Sequence, residues 1–155
     1  MKVRSRNARR SGCPISIALE IFGDRWSLLI IRELFFHGPR SFVELENWGQ
    51  ERMSSKVLAD RLRRLVDADV IARWEHVEPD RRWRYCLRPA GLELLPIVAG
   101  LAFWGCRHTA ADPELSERWL RLERRGRRQV ESMHLRPPRW RRFAQSRSGA
   151  PNGNK

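Results

Sequence analysis

The stretch "RMSSKVLADRLRRLVDADVI", residues 52–71, carries two patterns at once. With a helix beginning at Ser54, Leu58, Leu62 and Leu65 recur at the i, i+4, i+7 spacing of one apolar stripe, and Val66 lies beside it. At about 100° per residue, Lys56, Asp60, Arg63 and Arg64 fall on the opposite side, with Ser55 and Ala59 at the margin near the helix start. The leucines must pack inward, leaving a short, mostly basic face outside. A charged face is the ordinary state of a surface helix, so the neighbouring segments decide its use.

Upstream, "CPISIALEIFG" opens with Pro14, favourable at a first helical position. It sets Ile17, Leu19, Ile21 and Phe22 in a short apolar helix that ends at Gly23. "DRWSLLIIRELFFHG" follows, with Asp24 as N-cap, Trp26, Leu29, Ile30 and Leu34 as core positions, and Gly38-Pro39 as a stop. "SFVE", residues 41–44, has capping-box form: the Ser41 hydroxyl and the Glu44 carboxylate satisfy free amides at the start of a short helix ending near Trp48. The loop "GQERM" then leads into the helix of residues 54–66.

Downstream the pattern changes. "IARWEHV" and "WRYCL" are β-rich runs joined by "EPDRR". In the second run Trp83, Tyr85 and Leu87 face one side while Arg82, Arg84 and Cys86 face the other. The long segment "AGLELLPIVAGLAFWGCRH" is apolar on more than one face, at Leu92, Leu95, Ile97, Val98, Leu101, Phe103 and Trp104, and Pro96 should kink it or sit near its first turn. The expected fold is therefore mainly α with a small β-hairpin (α+β). Its order is helix, helix, short helix, exposed-face helix, hairpin, long helix, that of a winged helix-turn-helix with N- and C-terminal dimerisation helices.

A chain of 155 residues suits one compact domain with appendages. Its net charge of +13 is unevenly spread: residues 1–12 carry +5, residues 13–111 carry +1, and residues 112–155 carry +7. The expected organisation follows: a basic disordered arm at 1–12, the DNA-binding and dimerisation domain at 13–111, and a basic extension at 112–155, helical first and then disordered. Basic ends around a balanced body suit a polyanion such as nucleic acid. Cys13, Cys86 and Cys106 are odd in number and far apart, with no CxxC pair or zinc spacing, which fits a reducing cytoplasm and implies no metal or cofactor. The N-terminus lacks the apolar segment of a signal peptide, and the most apolar run, residues 92–106, contains Glu93 and Pro96 and reads as too short to span a membrane. His37, His76, His108 and His134 are scattered, and neither a nucleophile elbow nor a GxxxxGK[ST] loop is present, so an enzyme is not expected.

Residues 13–105 resemble the HxlR-type winged helix-turn-helix transcriptional regulators of bacteria. The matching blocks are "CP", "ALEIFGDRWSLLIIREL" with Gly23, Arg25 and Trp26, "GPRSFVEL", "SSKVLADRLRRL", "RYCL" followed by Gly91, then "LLP" and "FWG", in that order. The resemblance implies a homodimeric, sequence-specific DNA binder acting as repressor or activator, with residues 54–66 as its recognition helix. Two departures stand out: the loop between Trp48 and Met53 is one residue longer than usual and lacks the customary Pro-Gly, and Arg88 replaces a customary Thr before the dimerisation helix.

Site expectations follow. Arg40, Ser41 and Ser54 lie at helix starts, where free amides and a positive dipole end hold phosphate oxygens. Ser55, Lys56, Ala59 and Arg63 face the groove, where Arg or Lys donates to guanine and an Ala methyl meets thymine. Asp60 either accepts from cytosine or pairs with Arg64 and braces the face, the second being favoured. Arg81, Arg82 and Arg84 supply wing contacts. Ile17 and Ile21, with Leu95, Val98, Leu101, Phe103 and Trp104, form the dimer interface, which would set two recognition helices about 34–36 Å apart on an inverted repeat of double-stranded DNA. Cys13, before Pro14 at a helix start and three residues after Arg10, is a redox-sensing candidate; some members of the resembled family sense oxidants or electrophiles at the matching cysteine. An oxidant or small-molecule effector is the corresponding partner. The rival reading is an RNA or single-strand binder that stacks bases on Trp140 and Phe143 among the arginines of the tail.

Overall fold

The computed structural model describes residues 12–48, 53–75 and 83–124. Helices α1 (Pro14–Phe22) and α2 (Arg25–His37) meet at Gly23-Asp24, where the Asp24 carboxylate accepts the amides of Trp26 and Ser27 at 3.0 and 3.1 Å and the Ser27 hydroxyl at 2.6 Å. Ile30, Ile31 and Leu34 of α2 are fully buried, whereas Trp26 and Leu29 are only partly covered. Gly38 ends α2 at φ 75°, ψ −157°, a conformation that costs a side chain dearly.

Strand β1 (Arg40–Ser41) comes next, then α3 (Phe42–Glu46), α4 (Ser55–Asp67), β2 (Ile71–Glu75) and β3 (Trp83–Leu87). The sheet is antiparallel in the order β1-β3-β2, with Ile71 opposite Leu87 and Arg40 opposite Tyr85. It thus has one strand more than the expected hairpin, because two residues are too few to show an alternation. The strand faces also differ from a simple in/out pattern. Cys86 and Leu87 are both 1% exposed, so both faces of β3 are covered at its end, and the face that Cys86 shares with Arg84 is interior there. Asp69 turns the chain from α4 into β2 at φ 60°, tolerable for Asp, and its carboxylate pairs with Arg88 at 2.8 Å.

The long apolar segment is two helices, α5 (Pro89–Leu92) and α6 (Leu95–His108), with the break at Glu93-Leu94 and Pro96 in the first turn of α6. Arg88 caps α5 without a side-chain hydrogen bond, and Pro89 occupies the first turn instead. Gly91 lets α5 lie against the chain entering β2: a Cβ there would sit 2.3 Å from the Val70 carbonyl oxygen. Counted as Pro89–His108, this run reaches 20 residues and is apolar enough by length and composition to cross a bilayer, which corrects the expectation of a run too short. It is nonetheless interrupted, and Leu92, Leu95, Val98, Ala99 and Phe103 face the protein's own core. Helix α7 (Pro113–Arg124), capped by Asp112, packs on α6. Trp119 meets Phe36 and Phe103 edge-on at 5.3 and 6.2 Å, and Arg107 pairs with Glu123 at 2.7 Å. The interior is continuous from Ile30 and Leu34 through Leu45, Leu58, Leu62 and Leu65 to Leu87, Leu92 and Leu95.

Candidate nucleic-acid interface

Helix α4 separates its two jobs by face. Leu58, Leu62 and Leu65 are at most 1% exposed, whereas Ser55, Lys56, Ala59, Arg63 and Arg64 are exposed. The Ser54 hydroxyl caps the helix by accepting the Val57 amide at 3.4 Å. Arg61, on the flank toward α2, places Nε 3.1 Å from Asp24, so the residue that caps α2 also grips the neighbouring helix. That tie joins positions 37 apart in sequence, beyond the reach of any helical periodicity.

Asp60 gathers the basic face. Its Oδ1 lies 2.5 Å from Arg63 Nη2, and its Oδ2 lies 3.0 Å from Arg64 Nε and 3.2 Å from Arg61 Nη1. The hydrogen bond from Arg63, joined by the charges of Arg64, Arg63 and Arg61, holds the Asp60 carboxyl below its ordinary value against the opposing effect of burial. The pairing with Arg64 is the bracing expected for this residue; the pairing with Arg63 was not anticipated. At the helix start, the Ser55 hydroxyl donates to the Glu46 carboxylate of α3.

The start of α3 carries the capping box its sequence predicts, and that box limits what Ser41 can offer a phosphate. Ser41 forms both halves of the capping box with Glu44, at 2.7 Å (Ser41 N–H to Glu44 Oε2) and 3.3 Å (Glu44 N–H to Ser41 Oγ), and is 5% exposed. Its hydroxyl is occupied by the cap and turned from solvent, so a phosphate role cannot rest on that side chain. Arg40 is half-buried between Glu33 (3.8 Å) and Glu44 (3.4 Å), and Arg84 reaches Glu44 at 3.0 Å from β3. Arg84 thus fastens the sheet to α3, in place of the outward wing contact expected of it. Arg81 and Arg82 lie outside the described residues, as do the loop at 49–52, the basic arm and the tail with Trp140 and Phe143.

Glu44 is the hub of this cluster. The Ser41 backbone amide, together with the Ser41 hydroxyl, Arg84 and Arg40, lowers its carboxyl from 4.5 to about 2 against the opposing effect of burial. A carboxylate with a depressed folded-state value stabilises the fold above its unfolded pKa, and that contribution is lost as pH falls from about 4.5 toward 2. The Glu44 side chain is 36% exposed, so after screening we expect about 1–2 kcal/mol. Urea unfolding of Glu44→Gln should show a deficit of that size at pH 7 that shrinks steadily below pH 4.5. A deficit independent of pH would remove the ionic role.

The apolar interface residues divide. Leu95 (3%), Val98 (8%) and Phe103 (9%) are buried in the chain's own core under α2 and α7, and Ile17 and Ile21 are half-covered. A partner surface cannot be built on the three that are already buried, which corrects their assignment. What remains open is a stripe on α6 at i, i+4, i+7, Ile97 (47%), Leu101 (53%) and Trp104 (57%), and a pair on α1, Ile15 (71%) and Leu19 (56%). Cys13 is exposed at the N-cap of α1, whereas burial pushes the Cys86 thiol up to about 12.

Three packed helices, the last amphipathic with a basic outer face, followed by an antiparallel hairpin, define a winged helix-turn-helix, a class built for DNA. The family model described as HxlR-like helix-turn-helix matches residues 21–113, and the chain belongs to that family. It is 38% identical over 106 residues to an uncharacterized HTH-type transcriptional regulator of Mycobacterium tuberculosis, covering 68% of this chain and 65% of the relative, just under two thirds of its length. Among solved structures it resembles PA1607, a proposed transcription factor (30% identity, TM-score 0.59, 68% of this chain and 71% of that one). It also resembles the reduced form of the transcriptional regulator YodB from Bacillus subtilis (27% identity, TM-score 0.54, 66% and 100%), which has been solved after diamide treatment as well.

Proposed function

We propose that this protein is a cytoplasmic homodimeric repressor that binds an inverted repeat in double-stranded DNA, with α4 in the major groove and the β2–β3 hairpin against the flanking backbone. The observation that carries the reading is the division of α4: three leucines lock it into the core while Lys56, Ala59 and Arg63 stand outside, at the helix face a groove admits. Ser54 and Ser55 at its start lie where backbone amides meet phosphate. The open apolar stripes on α6 and α1 fit a two-fold partner, which would repeat the reading helix at one turn of B-DNA. Arg81 and Arg82 are the proposed wing cations. A duplex reader is favoured over a single-strand binder because Lys56, Arg63 and Arg64 stand exposed together on one groove-sized helix.

Selection of bound duplexes from a random pool tests this directly. The expected product is an inverted repeat with half-sites about 10–10.5 bp apart; unpaired half-sites or single-strand preference would overturn the reading. Cys13 is proposed as the redox-responsive group, supported by its exposure and by the diamide-treated relative. Titrating the selected duplex with diamide-treated protein should change the affinity of the parent and leave Cys13→Ser unaffected. An equal response in both would assign the cysteine a packing role.

A further inference from the structure

We propose that Asp60 sets the sequence discrimination of α4 by holding Arg63 in an ion pair that a matched base edge displaces and a bare phosphate does not, while Arg64 stays braced on the same carboxylate. The inference rests on the reading of α4 as the groove helix and adds to it the residue that separates matched from unmatched DNA.

Both carboxylate oxygens are in use, Oδ1 by Arg63 at 2.5 Å and Oδ2 by Arg64 at 3.0 Å and Arg61 at 3.2 Å. The assembly is anchored from the protein side, because Arg61 is itself held 3.1 Å from Asp24 at the start of α2. The side chains of Arg63 and Arg64 are 71% and 53% exposed, so without Asp60 both guanidinium groups would be available to any phosphate. Magnitudes decide the outcome. An exposed pair of this kind changes an equilibrium by about fivefold at most, comparable with a single solvated phosphate contact. A bidentate contact to a guanine edge is worth about five- to 150-fold. The ion pair therefore offsets the phosphate interaction and yields to the base. When Arg63 departs, Arg61 and Arg64 still neutralise Asp60, so no charge is stranded in the interface. On unmatched DNA the carboxylate remains in place and repels the backbone. The Glu46 carboxylate that receives the Ser55 hydroxyl holds a second groove-facing group at the same helix.

The test is Asp60→Asn in the full-length protein, measured on the selected duplex and on a random duplex over a range of salt. Random-duplex affinity should rise about five- to tenfold, and its log–log salt slope should steepen by about 0.9–1.8, the release expected for one or two further phosphate contacts. Affinity for the selected site should rise less, narrowing the ratio at least about threefold. In an Arg63→Ala background the gain on random DNA should shrink, since the effect runs through that side chain. An unchanged ratio and slope, equal losses on both duplexes, or a gain undiminished by Arg63→Ala would overturn the inference while leaving the groove helix intact. A parent protein that selects no duplex would overturn both.

Discussion

Leu101→Asp is expected to leave a folded monomer whose affinity for an inverted repeat lies about 10²- to 10⁴-fold below that of the parent protein. The size of the effect comes from linkage: in a dimer the second half-site is bound at high effective concentration, and a monomer loses that gain without losing any contact within one half-site. Leu101 is the centre of the Ile97–Leu101–Trp104 stripe and is 53% exposed in the chain, so the carboxylate replaces a side chain the core does not use. Sedimentation velocity should report half the parental mass at micromolar concentration, and circular dichroism and the unfolding midpoint should be unchanged. A variant that stays dimeric and keeps its operator affinity would place the two-fold contact elsewhere, with α1 and its Ile15 and Leu19 the next surface to test.

The second large effect concerns stability. Leu62→Ala is expected to cost about 2–5 kcal/mol, the range for removing a buried leucine where surrounding elements cannot collapse into the cavity. Leu62 is 1% exposed and sits between Leu58 and Leu65, all three in the cluster that joins α2, α4, the sheet and α5. Rigid helices on several sides favour the upper part of that range. Urea unfolding should show the midpoint falling with little change in slope. A loss below about 1 kcal/mol would mean that the core re-packs around α4 and that the helix is not fixed by its leucines.

What the sequence made readable was local. The leucine stripe of α4, the Asp24 cap and the Ser41–Glu44 capping box each depend on residues within a turn or two of one another, so spacing alone reveals them. The ties between elements were hidden for the same reason. Arg84 meets Glu44 across 40 residues and Arg61 meets Asp24 across 37, and nothing in either local pattern distinguishes these arginines from solvated ones. The apolar excess of α6 was legible, but not what covers it: Phe103 is closed over by Trp119 from a helix beyond the matched family region, whereas Trp104, one residue on, is open. Composition counts apolar side chains and cannot say whether cover comes from the same chain.

Asp24 carries a consequence for how such a protein can diverge. One carboxylate caps α2 through the amides of Trp26 and Ser27, receives the Ser27 hydroxyl, and grips Arg61 on the flank of α4. The angle between the two helices is thereby set by residues none of which occupies the outer positions 56, 59 and 63. Those three positions can drift through many residue types while the scaffold keeps its shape, so, with the proposed reading of α4, duplicated copies of such a gene would acquire new operators by a few surface substitutions without passing through an unfolded ancestor.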